Sequence, residues 1–298
     1  CQERVYLSVT GLRKNKNGDN ISRENAVRQI KQKKIYERKM LKMIKAVFFD
    51  VDGTLVSHTR GEVSVSTRKA VSQLKEKGIR CVIATGRHMG ELKKLPVKDI
   101  EFDAYITLNG QLCLDGQQAV LSSSALTGAD KEQIIRLFEK KDIPILLVEK
   151  ERMYINFVNK EVEKAQQDIS SDMPETGEYA GGEIYQAIAY VGKDKEDALK
   201  TILPACKITR WNNRAVDIIS RHGGKVAGIR QYLKENNILI QETMAFGDGE
   251  NDIEMLEYAG IGIAMGNSDD MVKKSADYVT DSVDNEGIEK ALRHFEVI

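Results

Sequence analysis

Short hydrophobic runs alternate with amphipathic segments along most of this chain of 298 residues. A run of about four to eight apolar residues bounded by turn residues is typical of a buried strand, whereas apolar positions three and four apart indicate a helix. Ala46–Phe49 is such a run, and Thr67–Lys77 has apolar residues at helical spacing and ends before Gly78. The domain is therefore predicted to begin with a strand that is followed by a helix.

The same alternation continues towards the C-terminus, and each predicted strand ends in a polar or glycine-rich turn. The further predicted strands are Arg80–Ala84, Ala104–Leu108, Met244–Phe246 and Ile261–Ala264. Strands that alternate with helices form a mostly parallel sheet, and such sheets bind ligands at the carboxyl ends of their strands. We therefore expect an α/β core with a functional site along that edge.

The pattern changes between residues 122 and 207, where none of the predicted strands ends in an Asp, Thr or Gly turn. The predicted elements of this region are the helices Asp130–Lys141 and Lys195–Leu203 and the amphipathic strands Met153–Val158 and Tyr185–Val191. We interpret 122–207 as an α+β unit inserted into a core formed by residues 44–121 and 208–298. The alternative is that the region continues one large sheet.

Composition and charge narrow the possible partners. The chain is 41% hydrophobic and 30% charged, as in ordinary soluble proteins, and no apolar run approaches the roughly 20 residues that cross a bilayer. The net charge of zero argues against nucleic acid or a membrane as the main partner. The four cysteines have no metal-type spacing, which favours reduced thiols and a cytoplasmic location.

Residues 1–43 are strongly basic, with twelve Lys and Arg against four Asp and Glu. They contain few apolar residues and no sustained period, so we expect a poorly ordered extension before a domain that begins near Met43. A basic arm that binds nucleic acid or lipid is the functional alternative.

Asp50 and Asp52 follow the first predicted strand directly. Two carboxylates this close repel each other unless a cation neutralises them or one of them holds a proton, and either state is useful in catalysis. The alternative is an ordinary strand-to-helix turn in which an Asp caps the helix.

Other strand ends carry groups that would complete a site for phosphoryl transfer. Asp50 could attack phosphorus, and Asp52 could give a proton to the leaving group and later take one from water. Asp248 and Asp252 add two carboxylates, and such hard oxygen ligands suit Mg²⁺. A hydroxyl from Thr85 and the ammonium of Lys225 would suit the remaining phosphoryl oxygens.

These residues belong to four motifs that occur in a fixed order. The motifs are Asp50-Val51-Asp52-Gly53-Thr54-Leu55, Thr85-Gly86-Arg87, Lys225 and Gly247-Asp248-Gly249-Glu250-Asn251-Asp252. In this order they resemble the motifs of the haloacid dehalogenase superfamily, and the last has the Gly-Asp-x-x-Asn-Asp form of its Cof-type phosphatases. The agreement runs from about Met43 to the C-terminus, where Asp284–Ile288 also resembles the ending of the family.

The resemblance implies a Rossmann-like core with an inserted α+β cap that closes over the substrate. It further implies a role for each matching residue: Asp50 as nucleophile, Asp52 as general acid and base with a metal-binding carbonyl, Asp248 as third metal ligand, Asp252 as supporting shell, and Thr85, Gly86, Lys225 and Asn251 as phosphate-binding residues. The turn Arg221–Gly224 departs from the family pattern, which puts the shape of the loop before Lys225 in doubt.

The resemblance favours a magnesium-dependent phosphatase, monomeric or homodimeric, that hydrolyses small phosphorylated metabolites such as sugar phosphates, pyridoxal phosphate or flavin mononucleotide. A phosphomutase needs the same two aspartates and is the nearest alternative; a phosphate-sensing or partner-binding protein without turnover is the other. Arg87 could contact substrate or form a structural ion pair, and Asn109–Gly110 could bind phosphate or form a plain turn. Trp211–Arg214 could contact substrate or pack as a hinge.

Overall fold

The larger part of the chain forms two β-sheets with helices packed against them, in a computed structural model that describes residues 44–169 and 171–298. The prediction of a basic, poorly ordered extension concerns residues 1–43, which lie outside the described residues. In the described part of the chain, no helix has the length and hydrophobicity that crossing a membrane requires.

The elements are numbered here in chain order. The strands of the described residues are β1 (Ala46–Phe49), β2 (Arg80–Ala84), β3 (Ala104–Thr107), β4 (Leu112–Asp115), β5 (Val120–Ser123), β6 (Ile145–Val148), β7 (Met153–Ile155), β8 (Gln186–Ala189), β9 (Cys206–Asn212), β10 (Ala215–Ser220), β11 (Thr243–Gly247), β12 (Ile261–Ala264) and β13 (Tyr278–Val279). The α-helices of the same residues are α1 (Val65–Glu76), α2 (Met89–Leu92), α3 (Gly128–Lys140), α4 (Lys160–Asp168), α5 (Glu196–Ile202), α6 (Lys225–Glu235), α7 (Ile253–Tyr258), α8 (Asp270–Ser275) and α9 (Gly287–His294).

The larger sheet has the strand order β13-β12-β11-β1-β2-β3-β4-β5. The first six strands in this order pair in parallel, and β4 and β5 each run antiparallel to their neighbours. This confirms the predicted mostly parallel α/β sheet. Because β11, β1 and β2 are adjacent and parallel, their carboxyl ends lie side by side at one edge of the sheet.

Helices cover both faces of the larger sheet, which explains why β1 consists only of apolar residues. Val47 and Phe49 belong to a buried cluster with residues of α1 and α9, whereas Ala46 and Phe48 belong to a second cluster with residues of α6 and α7. Successive side chains of a strand point to opposite faces, so β1 contributes to both cores. The turn after β1 is therefore held from both sides.

The smaller sheet has the order β7-β6-β8-β10-β9, and all its neighbouring strands are antiparallel. Ile134 and Phe138 of α3 and Leu199 of α5 pack into its core on one side. Val162 of α4 belongs to a cluster that also contains residues of the larger sheet. The predicted inserted α+β unit is confirmed, and the alternative of one continuous sheet is wrong.

The predicted limits of the insertion, residues 122 and 207, need correction. Strand β5 crosses the first limit and belongs to the larger sheet, while β9 and β10 belong to the smaller sheet, which therefore extends to Ser220. The residues of β9 are polar and apolar in turn and all are half-buried, so the strand has none of the apolar character that marked the others. Whether the two sheets act as separate domains stays a prediction.

Helix α1 begins two residues before the predicted Thr67. The hydroxyl of Ser64 accepts a hydrogen bond from the backbone N–H of Thr67 at 3.1 Å, which caps the first turn. Gly78 lies beyond the end of the helix with a φ of 73°, as expected of a glycine that stops a helix.

Candidate active site

Lys225 joins two carboxylates at the carboxyl edge of the larger sheet. Asp50 follows β1, and its Oδ1 accepts a hydrogen bond from Lys225 Nζ at 2.5 Å. The same ammonium donates to Oδ1 of Asp252 at 2.6 Å, and all three side chains are buried. Lys225 is the first residue of α6, so the start of this helix places its ammonium between the ends of β1 and β11. A buried charge of this kind is tolerated only when it is paired.

Negative charge exceeds positive charge in this cluster. Burial raises the pKa of Asp50 well above its usual range, and Lys225 opposes that rise. Burial would lower the pKa of Lys225, but Asp252 and Asp50 outweigh it and raise the pKa. Burial and the neighbouring Asp252 raise the pKa of Asp248 to about 7. An added cation would relieve this excess.

The loop after β11 holds Asp248 in one orientation. Oδ2 of Asp252 accepts hydrogen bonds from the backbone N–H groups of Asp248 and Gly249, both at 3.0 Å. Thr54 donates to Oδ1 of Asp248 and Asn267 donates to Oδ2, both at 3.1 Å. Neither Thr54 nor Asn267 was predicted as a site residue, although both follow strand ends where such residues were expected.

Gly53 is required for the approach of Asp248. Its φ of 73° lies in the left-handed region, and a Cβ at this position would lie 2.1 Å from Oδ2 of Asp248. Any side chain here would therefore displace the carboxylate.

Asp50, Asp248 and Asp252 each offer a carboxylate oxygen, and the three oxygens lie within 4.8 Å of one another. Hard oxygen donors of this kind suit Mg²⁺. Both oxygens of Asp252 already accept hydrogen bonds, from Lys225 and from the loop amides. The donor set thus fits a divalent cation, and Asp248 would share its oxygens between the ion and its two side-chain donors.

Arg87 binds the carboxylate of Asp52, the second predicted catalytic residue. Its Nε and Nη2 donate to the two oxygens of Asp52 at 2.6 and 2.9 Å, and its Nη1 donates to Glu91 at 3.1 Å. Two parallel bonds from one guanidinium fix a carboxylate in position. Of the two alternatives for Arg87, the structure shows the ion pair. Arg87 also lines the cavity at this edge of the sheet.

Thr85 and Gly86 form the turn after β2. The hydroxyl of Thr85 accepts a hydrogen bond from the backbone N–H of Arg87 at 3.2 Å, and its carbonyl accepts one from the N–H of Asn109 at 2.9 Å. A Cβ on Gly86 would lie 3.1 Å from the amide nitrogen of Asn109. Gly86 therefore lets the turn lie directly against Asn109.

The amide of Asn109 connects the two sheets. Its Nδ2 donates to Oδ2 of Asp217 at 2.7 Å and to Oε1 of Gln186 at 3.2 Å, while its Oδ1 accepts from Asn251 at 3.3 Å. Asn109 itself has a left-handed φ of 52°. It is thus neither a plain turn residue nor, in this structure, free to bind phosphate.

The unusual turn before Lys225 passes close to the loop after β3. A Cβ on Gly110 would lie 2.2 Å from the carbonyl oxygen of Gly224, and the N–H of Gly224 donates to the carbonyl of Asn109 at 2.9 Å. Gly224 has a φ of 112°, which favours glycine. These contacts account for the glycines of the turn that departed from the family pattern.

A cavity of about 630 Å³ lies at this edge, and residues of both sheets line it. The predicted site residues that line it are Asp50, Asp52, Thr85, Gly86, Asp248 and Asn251. The residues contributed by the smaller sheet and its loops include Gln186, Ile188, Arg210, Trp211, Asn212, Asn213 and Asp217. Lys225 and Asp252 are absent from this lining and contact Asp50 and the Asp248 loop from behind it.

For Trp211–Arg214 the sequence left open a contact with substrate or packing as a hinge, and the structure places the four residues in two different environments. Trp211, Asn212 and Asn213 line the cavity, whereas Arg214 forms ion pairs with Glu161 at 3.1 Å and with Asp168. A substrate contact by the first three stays a prediction. Gln186 and Asp217 were not predicted at all, because each lies inside a strand of the smaller sheet.

Residues 47–292 match the family described as haloacid dehalogenase-like hydrolase. Among related sequences, YkrA of Bacillus subtilis is 30% identical over 257 residues, which cover 85% of this chain and 98% of that protein. Another Bacillus subtilis protein, 5-amino-6-(5-phospho-D-ribitylamino)uracil phosphatase YcsE, is 26% identical and covers 85% of this chain and 96% of its own.

Solved structures show the same architecture. BT1666 of Bacteroides thetaiotaomicron, a phosphatase of the haloalkanoate enzyme superfamily, is 33% identical with a TM-score of 0.79, over 86% of this chain and 96% of that one. The subclass IIB sugar phosphatase BT4131 is 35% identical with a TM-score of 0.78, over 85% of this chain and all of that one, 100%.

Proposed function

The chain belongs to the haloacid dehalogenase-like hydrolase family, and from this premise we propose that it is a magnesium-dependent phosphatase of small phosphorylated metabolites. The observation that carries the proposal is the pair Asp50 and Asp52, each held by its own cation at the edge where Asp248 supplies a further carboxylate. A protein that only bound phosphate would need neither a buried nucleophile nor a neighbouring proton carrier.

In the first step Asp50 attacks the phosphorus atom of the ester. Lys225 holds Oδ1, so we assign the attack to Oδ2. A new bond forms between Oδ2 and phosphorus, and the bond between phosphorus and the ester oxygen breaks. Asp52 first separates from Arg87 and takes a proton from solvent, and its carboxyl then gives that proton to the departing alkoxide. The product of this step is an aspartyl phosphate and a free alcohol.

In the second step water attacks the same phosphorus atom. The carboxylate of Asp52 takes a proton from the water, the bond between Asp50 and phosphorus breaks, and inorganic phosphate is released. After phosphate release the carboxyl of Asp52 either keeps this proton for the next turnover or releases it to solvent and pairs with Arg87 again. Thr85, Gly86 and Asn251 line the cavity where the phosphoryl oxygens would lie, and Lys225 would supply positive charge from behind Asp50.

Asp50 and Asp248, together with the backbone carbonyl of Asp52, would hold Mg²⁺ in this scheme. The ion would neutralise charge on the phosphoryl oxygens and relieve the repulsion among the carboxylates. Asp252 would act as a positioning residue, because its oxygens accept three hydrogen bonds, one from Lys225 and two from the backbone of the Asp248 loop.

The smaller sheet would act as a cap over the substrate. It lines one part of the cavity, and its closure would exclude water from the phosphoryl group. Two relatives, a sugar phosphatase and a ribitylaminouracil phosphatase, support small phosphate esters as the substrate class. A phosphomutase would need the same two aspartates, so product analysis must separate the two activities.

Hydrolysis of p-nitrophenyl phosphate with Mg²⁺ tests the proposal, using wild type, Asp50→Asn and the surface control Asp99→Asn. We expect Asp50→Asn to lose on the order of 10⁴-fold or more in kcat while keeping its fold, and Asp99→Asn to match wild type. Chelation should abolish the activity and added Mg²⁺ restore it. Substantial activity in Asp50→Asn, or turnover that withstands chelation, would refute the proposal, and transfer of phosphate to a sugar instead of water would favour the phosphomutase.

A further inference from the structure

The smaller sheet presents to the cavity a carboxyl group that the phosphatase mechanism does not use. Asp217 of β10 pairs with Ile188 of β8, and Gln186 lies two residues along the same strand. Residues at such positions share one face of a sheet, and all three line the cavity. Asp217 is 6% exposed and Gln186 is 2% exposed, so both are buried polar groups that need hydrogen-bond partners.

Asn109 fixes the position of both side chains close to the phosphate-binding turn. Its Nδ2 donates to Oδ2 of Asp217 and to Oε1 of Gln186, and its own Oδ1 is held by Asn251. The same amide lies against Gly86. Because one oxygen of each side chain accepts from Asn109, the NH₂ group of Gln186 remains for a molecule in the cavity, and among the described residues Asp217 has only the indole of Trp211 as a further donor beside it.

Asp217 has no counter-ion. Arg210, the cavity-lining cation of the same sheet, is bound by Glu196 at 2.8 Å, and Arg87 is bound by Asp52. Within the described residues, no cation comes within ion-pair distance of Asp217. Burial raises the pKa of Asp217 to about 7, and the side chains of Asn109 and Trp211 only partly oppose the rise. A buried carboxylate without a cation gains most from neutral hydrogen-bond donors.

We propose that Asp217 and Gln186 bind a terminal hydroxyl group of the substrate near its phosphate ester and that Asp217 excludes substrates with a carboxylate in place of that terminal group. This inference rests on the proposed function and narrows it to phosphate esters of neutral polyols. A hydroxyl can donate to the carboxylate of Asp217 and accept from the NH₂ of Gln186, so it uses both groups at once. Ile188 and Trp211 offer apolar surface to the carbon skeleton.

The negative charge of Asp217 distinguishes a substrate hydroxyl from a substrate carboxylate. A substrate carboxylate at this position would face Asp217, and the charges of Arg210 and Arg87 are each already balanced by a carboxylate, although Nη2 of Arg210 has no hydrogen-bond partner. A neutral hydroxyl at the same position forms a hydrogen bond to a charged group instead. The two cases differ by about 10- to 100-fold in affinity, if one charged hydrogen bond is gained in one case and lost in the other.

The test compares glycerol 3-phosphate with 3-phosphoglycerate, which differ by the exchange of a CH₂OH group for a carboxylate. Steady-state kinetics with Mg²⁺ at pH 8, above the pKa of Asp217, are measured for wild type, Asp217→Asn, Gln186→Met and Asp99→Asn. The ester p-nitrophenyl phosphate, which lacks an aliphatic hydroxyl, is measured in parallel as a test of turnover itself.

We expect wild type and Asp99→Asn to prefer glycerol 3-phosphate by about 10- to 100-fold in kcat/KM. Asp217→Asn should raise the KM for glycerol 3-phosphate by about tenfold and improve 3-phosphoglycerate, so that the preference collapses. Gln186→Met should raise the KM for the polyol and keep the exclusion of the acid. A preference near one in wild type, or a loss in Asp217→Asn that is equal for all three esters, would overturn the inference. Absence of p-nitrophenyl phosphate turnover in wild type would instead refute the proposed function.

Discussion

On the core side of the cavity Asp50 and Asp52 are each matched with a cation, whereas on the side of the smaller sheet Asp217 is held by the amide of Asn109 and forms no ion pair within the described residues. Lys225 holds Asp50 at 2.5 Å and Arg87 holds Asp52 by two bonds. The first arrangement fixes two acids in position for chemistry. The second leaves one carboxyl unbalanced, which suits recognition of a neutral group.

The two arrangements also differ in the elements that support them. The core acids Asp50, Asp52 and Asp248 follow the ends of two adjacent parallel strands, β1 and β11. Helices pack against both faces of these strands. Asp217 lies in the middle of an antiparallel strand whose other neighbour, β9, is half-buried throughout. Rigid support suits reacting atoms, which must be placed within a fraction of an ångström. Such placement matters less for a group that only selects the substrate.

The first prediction is that Asp50 and Asp52 have different roles in the reaction. Asp52→Asn should slow the hydrolysis of an alkyl phosphate monoester with a poor leaving group by about 10²- to 10⁴-fold, because the departing alkoxide needs a proton. An ester with an activated leaving group should lose much less in the first step. Pre-steady-state bursts with both esters measure this difference, and equal losses would indicate a metal-binding role for Asp52 instead.

The second prediction concerns the stability that each core cation provides. Lys225→Met leaves Asp50 and Asp252 as buried, unpaired acids and should lower the free energy of unfolding by about 3–5 kcal/mol. Arg87→Met should cost only about 1 kcal/mol, because the side chain of Asp52 is 32% exposed and water can solvate it. Urea unfolding at pH 7 measures both, and equal costs would contradict the difference in burial.

The third prediction has the opposite sign. The pKa of Asp217 rises from 3.8 to about 7 on folding, so its ionised form opposes folding and the protein loses stability as pH rises through this range. Asp217→Asn should therefore be more stable than wild type by about 1–3 kcal/mol at pH 8, since cavity water screens part of the cost, with no difference below about pH 4. Thermal unfolding across this range, with Asp99→Asn as control, measures the effect. A pH-independent difference would show that Asp217 stays ionised at no cost.

Much of the core side could be predicted from the sequence because local patterns carry it. Asp50, Thr85 and Asp248 each follow an apolar run at once, and parallel strands bring their carboxyl ends together. The bidentate contact of Arg87 with Asp52 depends on side-chain conformations in two separate loops. The sequence alone therefore did not distinguish this ion pair from a contact between Arg87 and substrate. Order along the chain identifies the site but not its hydrogen bonds.

The other side could not be predicted because its contacts join distant residues without a local signal. Asp217 and Asn109 are separated by 108 positions, and the sequence around Asp217 reads as an ordinary apolar strand. The polar residues of β9 hid its place in the smaller sheet, which is why the predicted insertion ended too early. Antiparallel pairing brought Gln186 and Asp217 to one face, and no pattern within either segment indicates that pairing.

The central claim, that Asp50 carries the phosphoryl group, is tested most directly by trapping the intermediate. Wild type, Asp52→Asn and Asp50→Asn are mixed with substrate and Mg²⁺, quenched with acid within one turnover, digested and analysed by mass spectrometry. We predict a phosphorylated peptide at Asp50 in wild type, a larger fraction in Asp52→Asn with an activated ester because water is no longer deprotonated, and none in Asp50→Asn. A phosphoryl group on any other residue, or turnover without a labelled peptide in both active forms, would contradict the account.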